Sequence, residues 1–349
     1  MKKIVFTGGG TAGHVIPNLA IIDELKNKAQ IFYIGSNGIE KNIIKDNNIK
    51  FYEITSTKLR RTISLKNFLI PFKLLKAFKQ SKKILKELKP DVVFSKGGYV
   101  ALPVVLAAKK LKIPVICHES DYTMGLANKL CKNKCTYVCT SFENTSKSLK
   151  NGVFTGSPLR KELFLGKKEN AKKLFKNYQE KPTILIVGGS LGSKIINENI
   201  IKILPKLSNF NIIHLVGKNN LTNTKFDNYV ELEFSNNIAD LFSLSDLVIS
   251  RAGSNAIFEI LALNKPNILI PLSKKASRGD QIINANYFKE KGYSKVILEE
   301  DLNETTLLKT IENLWKNKEK YIEKMKKSPT KNATNQICDL IMKTTTKAK

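Results

Sequence analysis

The sequence is poor in the residues that build disulfide frameworks, metal clusters and membrane spans. Its 349 residues include 5 cysteines and 3 histidines, with no CxxC pair and no Asp-x-Asp pair. No apolar run approaches the roughly 18 residues that a spanning helix requires. These shortages exclude a disulfide-stabilised secreted protein and an integral membrane protein. They predict a cytoplasmic chain with reduced thiols and no metal site.

Acidic residues are also scarce. The chain has 30 Asp and Glu against 59 Lys and Arg, and its net charge is +29. This excess suits an anionic partner such as nucleic acid, an anionic bilayer or a phosphorylated substrate. Lys, Asn and Ile are frequent throughout, so the total charge does not choose among the three. A basic nucleic-acid-binding α/β protein stays an alternative, although the sequence has no nucleic-acid module or aromatic stacking platform.

Short apolar runs alternate with amphipathic helical stretches, which is typical of parallel α/β sheets. The run Ile4–Gly10 is echoed by Ile184–Ser190, and each is a buried strand that leads into a glycine-rich turn. The length also fits two domains. We therefore predict two Rossmann-like domains, residues 1–157 and 158–330. A final helix in 331–349 is expected to pack back onto the first domain.

The first glycine-rich turn has Gly8, Gly10 and Gly13 in the dinucleotide pattern. However, the second predicted strand ends in Ser36 and offers no carboxylate for a ribose. The turn also lacks the Lys of a phosphate-binding Walker loop. What remains is a set of backbone N–H groups at a helix N-terminus, suited to an anion or to sugar hydroxyls. His14 at its rim has either a functional role or none beyond ending the turn.

The second half carries two comparable turns. Gly188–Ser193 repeats the first arrangement, and Ser190 could donate a hydrogen bond to phosphate. The segment Ser250–Glu259 is predicted as a strand end, a turn and the start of a helix. Glu259 falls in the second helical turn among apolar neighbours, where its carboxylate could accept both hydroxyls of a ribose. The alternative is an ordinary solvated helix carboxylate.

Seven motifs occur in one order along the chain: Gly8–His14 with Pro17, Lys96–Val100, His118–Asp121 with Gly125–Lys129, Gly156–Arg160, Gly188–Gly192, Arg251–Glu259 and Arg278–Gln281. Together they resemble glycosyltransferase family 28 over nearly the whole chain. The resemblance implies a GT-B fold, with two Rossmann-like domains facing a central cleft. It also implies an inverting reaction without metal or cofactor. N-acetylglucosamine would pass from UDP-N-acetylglucosamine to the muramoyl-pentapeptide of undecaprenyl-linked lipid I, giving lipid II.

The resemblance also implies which residues bind the substrates. The sugar and acceptor residues of the first domain would be Thr11, Ala12, Gly13 and Asn128. The nucleotide and sugar residues of the second part would be Arg160, Ser190, Ser235, Ser254, Asn255, Glu259 and Gln281. Of these, Ser254 and Asn255 would contribute backbone N–H groups to the diphosphate, Glu259 would bind the ribose and Gln281 the sugar hydroxyls.

Two residues are candidates for the general base. His14 is favoured, because an imidazole titrates in the range that suits proton removal near neutral pH. Asp121 is the rival, since some members of the family have Asn at this position and inverting transferases often use a carboxylate. A structural role for both residues is the third option.

Residues 57–90 combine eleven Lys and Arg with a single acid, Glu87. Interleaved apolar residues include Phe68, Leu69, Phe72 and Leu75. This composition predicts a helix lying on an anionic bilayer, at about 1 kcal/mol per basic residue near the surface. Ordinary packing of an amphipathic helix explains part of the pattern. We expect a peripheral protein on the cytoplasmic face of the membrane, with cell-wall synthesis or division proteins as further partners.

Two further enzyme activities share the fold that the resemblance implies. One is another lipid glycosyltransferase of the same superfamily, although the Lys96–Val100 and His118–Lys129 motifs argue against it because acceptor loops should differ most between such enzymes. The other is a non-hydrolytic UDP-N-acetylglucosamine 2-epimerase. Release of UDP distinguishes a transferase from the epimerase.

Overall fold

The computed structural model describes residues 1–56, 70–189, 191–330 and 332–347. The chain forms two compact units. The first contains residues 1–160 and the segment from 332 onward, and the second contains residues 161–331. No helix in the described ranges is long and apolar enough to cross a membrane.

Within the described residues, the first unit is built on a seven-stranded parallel sheet with the strand order β3-β2-β1-β4-β5-β6-β7. Its strands are β1 Lys2–Thr7, β2 Ala29–Gly35, β3 Lys50–Glu53, β4 Val92–Ser95, β5 Val115–Glu119, β6 Tyr137–Thr140 and β7 Gly152–Phe154. Helices cover both faces, so the central strands are apolar on both sides. All four residues of β4 are buried, and so are all five of β5.

The helices of the first unit mostly follow its strands. They are α1 Ala12–Leu25, α2 Ile39–Asp46, α3 Ile70–Leu88, α4 Ala101–Lys110, α5 Leu126–Cys131 and α6 Glu143–Lys147. Pro71 lies in the first turn of α3, where the missing N–H of proline costs no helical hydrogen bond. α3 buries Ala77, Ser81, Leu85 and Leu88, which share one face at helical spacing.

The second unit repeats the architecture with a six-stranded parallel sheet among the described residues, in the order β10-β9-β8-β11-β12-β13. Its strands are β8 Thr183–Val187, β9 Asn211–Leu215, β10 Tyr229–Leu232, β11 Leu247–Ser250, β12 Asn267–Leu269 and β13 Lys295–Val296. Its helices are α7 Lys168–Lys172, α8 Lys194–Ile203, α9 Ile238–Leu244, α10 Ser254–Ala262, α11 Asp280–Glu290, α12 Glu304–Lys316 and α13 Lys318–Lys326.

The last helix, α14 (Thr334–Lys347), belongs to the first unit. Ile337 and Ile341 are fully buried in the same apolar cluster as Leu19 and Ile22 of α1. Two hydrogen bonds fasten the start of this segment, because the backbone N–H of Leu159 donates to Asn332 Oδ1 at 3.2 Å and to Thr334 Oγ1 at 3.1 Å. The C-terminal helix therefore completes the α1 face of the first sheet.

Candidate active site

The first unit gathers its polar residues at the carboxyl edge of its sheet. β1 lies between β2 and β4, and the loops after β1 and β4 interlock. A side chain on Gly98, whose φ is +80°, would come within 2.4 Å of the carbonyl oxygen of Gly9. A Cβ on Gly10, with φ +85°, would lie 2.4 Å from the ring of Tyr99. The loop after β1 and the loop after β4 can therefore pack this closely only with glycine at these two positions.

His14 lies in the first turn of α1, directly after the glycine-rich loop. Its Nδ1 is 2.9 Å from the hydroxyl oxygen of Thr11. If Nδ1–H donates to Thr11, Nε2 is left as the proton acceptor that a general base requires. Burial lowers the pKa of His14 to about 4, and the positive charge of Lys96 adds to this effect while Glu40 opposes it. The imidazole is therefore neutral at physiological pH, and the prediction that it titrates near neutrality is wrong, because burial and the charge of Lys96 disfavour the protonated form.

Lys96, immediately after β4, is almost fully buried. Its ammonium lies 2.8 Å from Nδ1 of His118 and also donates to the hydroxyl of Ser120. The other ring nitrogen of His118, Nε2, lies 2.9 Å from the carbonyl oxygen of Gly156 and must donate to it. Nδ1 is then the acceptor, so His118 is neutral, in agreement with burial lowering its pKa well below the usual value. Burial lowers the pKa of Lys96 to about 8.

The loop after β5, which carries Asp121, is held by the buried carboxylate of Glu119. Its oxygens accept from the backbone N–H of Asp121 at 3.1 Å and of Gly125 at 2.9 Å. Asn128 donates to Glu119 at 3.0 Å and to the carbonyl oxygen of His118 at 3.1 Å. Both bonds come from the amide nitrogen of Asn128. Through them Asn128 holds the Glu119 carboxylate, and with it the loop, in place. Burial raises the pKa of Glu119, and the neighbouring Asp121 adds to the shift.

In the second unit, the turn after β11 opens the N-terminus of α10. Gly253 precedes the helix in an extended conformation, and a side chain there would meet no atom within 4 Å. Ser254, Asn255 and Glu259 are all partly exposed on the first turns of this helix. Backbone N–H groups at a helix N-terminus next to open space favour an anionic ligand.

Arg251 is one of the few buried charged residues, and it links the loops around this turn. Its guanidinium donates to Glu299 Oε1 and to Ser193 Oγ, both at 2.6 Å, and to the carbonyl oxygen of Ile270 at 3.0 Å. Glu299 in turn accepts from the backbone N–H of Ser273 at 3.0 Å. Arg251 therefore ties together the loops that follow β8, β12 and β13, through both of its terminal nitrogens.

The other predicted nucleotide and sugar residues lie at different places in the chain. Gln281, in the first turn of α11, accepts from the backbone N–H of Leu272 at 3.1 Å. Ser235 is partly exposed in the loop after β10. Arg160 is partly exposed at the last residue of the first unit's main segment. Ser190 lies outside the described residues.

Comparisons with known proteins identify the family. Residues 4–140 match the glycosyltransferase family 28 N-terminal domain, and residues 183–341 match the family 28 C-terminal domain. The chain belongs to glycosyltransferase family 28. It is therefore a glycosyltransferase, as the seven motifs predict.

Close relatives match the family 28 chain over its full length. One from Clostridium perfringens is 52% identical over 349 residues, covering 98% of each chain. One from Clostridium botulinum is 54% identical over 353 residues, covering 99% of this chain and 100% of the relative. Both are named UDP-N-acetylglucosamine--N-acetylmuramyl-(pentapeptide) pyrophosphoryl-undecaprenol N-acetylglucosamine transferase.

A solved structure supports the fold of the family 28 chain. The crystal structure of Acinetobacter baumannii MurG is 29% identical, with a TM-score of 0.79, and the match covers 98% of this chain and 100% of that one. The predicted fold class, two Rossmann-like α/β domains of the GT-B type, is confirmed.

Sequence reasoning missed the buried polar residues beneath the family 28 motifs. Glu119, Lys96 and His118 appear in the motifs, but no role was predicted for them. Glu40 and Ser36 lie outside every motif, although Glu40 is fully buried. A carboxylate among the helix residues of α2 gives no sign in the sequence that it will be buried, so only the structure reveals it.

Proposed function

We propose that the chain transfers N-acetylglucosamine from UDP-N-acetylglucosamine to the muramoyl-pentapeptide of undecaprenyl-diphosphate-linked lipid I, giving lipid II. The observation that carries this proposal is the full-length match, at 52–54% identity, to relatives named for that transfer. The direct test combines purified protein, UDP-N-acetylglucosamine and a lipid I analogue, followed by analysis of the products. Release of UDP without a disaccharide product, or formation of an epimer, would contradict it.

The second unit is proposed to bind the donor. The N-terminus of α10 would stabilise the charge that develops on the leaving diphosphate, through the backbone N–H groups of Ser254 and Asn255. Since Arg251 is engaged by Glu299 and Ser193, its role would be to hold these loops in place. Arg160, Ser190 and Ser235 are proposed as nucleotide contacts. The amide nitrogen of Gln281 would donate to the sugar, while its oxygen accepts from the backbone N–H of Leu272.

The first unit is proposed to bind the acceptor through Thr11, Ala12 and Gly13, with His14 as the general base. The contact between Thr11 and His14 supports this choice, because it orients the imidazole. Asp121 stays the rival. It lies on the loop that Glu119 and Lys96 fasten, so Asp121 is positioned by a buried polar network, whereas His14 is oriented by Thr11. Asn128 would act indirectly, by holding Glu119.

The membrane contact is proposed at the start of α3. Phe68 and Leu69 lie outside the described residues. Phe72 and Leu75 are 74% and 51% exposed. Lys73, Lys76 and Lys79 are exposed near them. Exposed aromatic and aliphatic side chains beside cations fit an anionic bilayer, where the lipid carrier of the acceptor resides. We propose a peripheral location on the cytoplasmic face of the membrane.

The donor assignment predicts a preference for ribose over 2′-deoxyribose. If Glu259 accepts a ribose hydroxyl, a 2′-deoxy donor loses a charge-assisted hydrogen bond of about 1.5–3 kcal/mol. This corresponds to a roughly ten- to hundredfold lower kcat/KM. Glu259→Gln should narrow the difference between the donors, whereas Glu290→Gln, the same charge change at an exposed position of α11, should leave it intact. Equal use of both donors by the wild type would remove Glu259 from the ribose site.

The choice of base predicts the pH dependence of the reaction. A base must be unprotonated, and the pKa of His14 is lowered to about 4. Single-turnover kcat/KM should therefore show no acidic limb from His14 between pH 5 and 8, and should fall only as the pH approaches 4. His14→Ala should lose about 10²–10⁴-fold, and Asp121→Asn should stay active. An inactive Asp121→Asn beside an active His14→Ala would make Asp121 the base.

The membrane proposal predicts that Phe72→Ser with Leu75→Ser weakens binding to anionic vesicles, because it removes exposed apolar area without touching the buried face of α3. Turnover of a soluble short-chain acceptor should stay nearly unchanged. Higher salt should weaken wild-type binding as the charges are screened. Leu165→Ser with Leu221→Ser replaces two exposed leucines in the second unit and serves as the control. If vesicle sedimentation shows the same binding for both double variants, the α3 contact is disproved.

A further inference from the structure

Lys96 is a buried cation between the two loops that carry the candidate bases. It directly follows β4 and is 2% exposed. On one side, a Cβ on Gly8 of the glycine-rich loop would lie 3.1 Å from Cβ of Lys96 and 3.3 Å from the carbonyl oxygen of His14. On the other side, the ammonium donates to the hydroxyl of Ser120, the residue before Asp121. The stem of Lys96 therefore packs against one loop, and its head is bonded to the other.

The hydrogen-bond partners of the ammonium are neutral. Nε2 of His118 donates to the carbonyl oxygen of Gly156, so Nδ1, which lies 2.8 Å from the ammonium, accepts from Lys96. The second partner is the hydroxyl of Ser120. Bonds to neutral acceptors satisfy the N–H groups and leave the charge in place. Inside a protein, where the effective dielectric constant is low, such a charge acts strongly on its neighbours.

Three groups face Lys96 from β5, from the loop after it and from β6. Burial lowers the pKa of Lys96 to about 8, and the negative charges of Glu119 and Asp121 oppose this shift. Cys139 of β6 also lies near, but burial raises the pKa of its thiol to about 12, so it adds no charge. Lys96 therefore stays protonated at pH 7 and below.

His14 of α1 faces Lys96 and one carboxylate. Burial is the largest cause of the lowered pKa of His14, and the charge of Lys96 is the next. Glu40 of α2 acts in the opposite direction and more weakly. Its carboxylate accepts from the backbone N–H of Gly10 at 3.1 Å. Of the two opposite charges near His14, the cation therefore has the larger effect.

We propose that Lys96 is a positioning residue for the transfer reaction: its hydrogen bonds hold the loop of Asp121, and its charge keeps the candidate base unprotonated. The inference rests on the proposed function, which supplies a reaction that needs a base. A neighbouring cation disfavours a protonated imidazole and favours an ionised carboxylate. Both effects leave the base able to accept the proton of the acceptor hydroxyl. The role of Lys96 is thus the same whether His14 or Asp121 is the base.

Neutral variants of Lys96 test the charge through the pH dependence of single-turnover kcat/KM. Lys96→Met removes both the charge and the hydrogen bonds, whereas Lys96→Gln removes the charge and keeps an amide N–H as donor. In both variants the acidic limb should move to higher pH by about one pH unit, because the unprotonated base loses the cation that favours it. An acidic limb that stays in place in both variants would overturn the proposal.

Two control variants separate the charge from the hydrogen bonds and from the total charge. Ser120→Ala removes a bond of the ammonium and keeps its charge. It should raise KM for the lipid I analogue on the order of fivefold and leave the acidic limb in place. Lys109→Met removes a charge at an exposed position at the end of α4 and should match the wild type. If Ser120→Ala moves the limb as far as Lys96→Gln does, the charge is not the cause and the proposal is overturned.

The protonation state of His14 is measured without turnover. The imidazole ¹⁵N resonances of the full-length protein, which has three histidines, are assigned with His14→Ala. Wild-type His14 should be neutral at pH 5, and in Lys96→Gln it should be roughly half protonated at that pH. The same protonation state in both proteins would overturn the proposal, and so would a protonated wild-type His14 at pH 6, which needs no Lys96 variant. Failure of the wild type to transfer sugar to the lipid I analogue would instead refute the proposed function, and the imidazole resonances would still decide the charge effect.

Discussion

Parallel strand pairing is the constraint on which both candidate sites depend. In a parallel sheet every carboxyl end meets the same edge, and ligands bind where neighbouring loops turn in opposite directions. β1 between β2 and β4, and β8 between β9 and β11, occupy that position in their sheets. The glycine-rich loops follow directly from these two strands. Residues far apart in sequence, such as His14 and His118, reach the same edge for this reason.

Buried charges stabilise the loops at these edges. Burying a charge is costly unless hydrogen bonds or an opposite charge compensate. Glu40, Glu119 and Lys96 are each met by several polar partners, and Arg251 has Glu299. Their common effect is to hold flexible, glycine-containing segments in one conformation before a ligand arrives, which lowers the ordering cost of binding.

Much of the fold was predictable, because strands buried on both faces form continuous apolar runs. The apolar part of the run Ile4–Gly10 lies in β1, and that of Ile184–Ser190 lies in β8. The motifs in which they lie also indicated His14 and Glu259 as candidate site residues. The sequence could not show that the Asn128 amide donates a hydrogen bond to Glu119, or that Arg251 bridges three loops. Such bonds join distant segments and depend on side-chain orientation. No periodic pattern records them.

The position of α14 at the end of the sequence affects the order in which the two units are completed during synthesis. The second unit is a continuous stretch, residues 161–331, whereas the first unit needs Ile337 and Ile341 to cover α1. Domains generally fold as units, with the N-terminal one first, as the chain leaves the ribosome. Here the first unit is completed last, because the residues of α14 are synthesised after those of the second unit. Until then the apolar face of α1 stays uncovered, which leaves the nascent first unit open to chaperones and to aggregation.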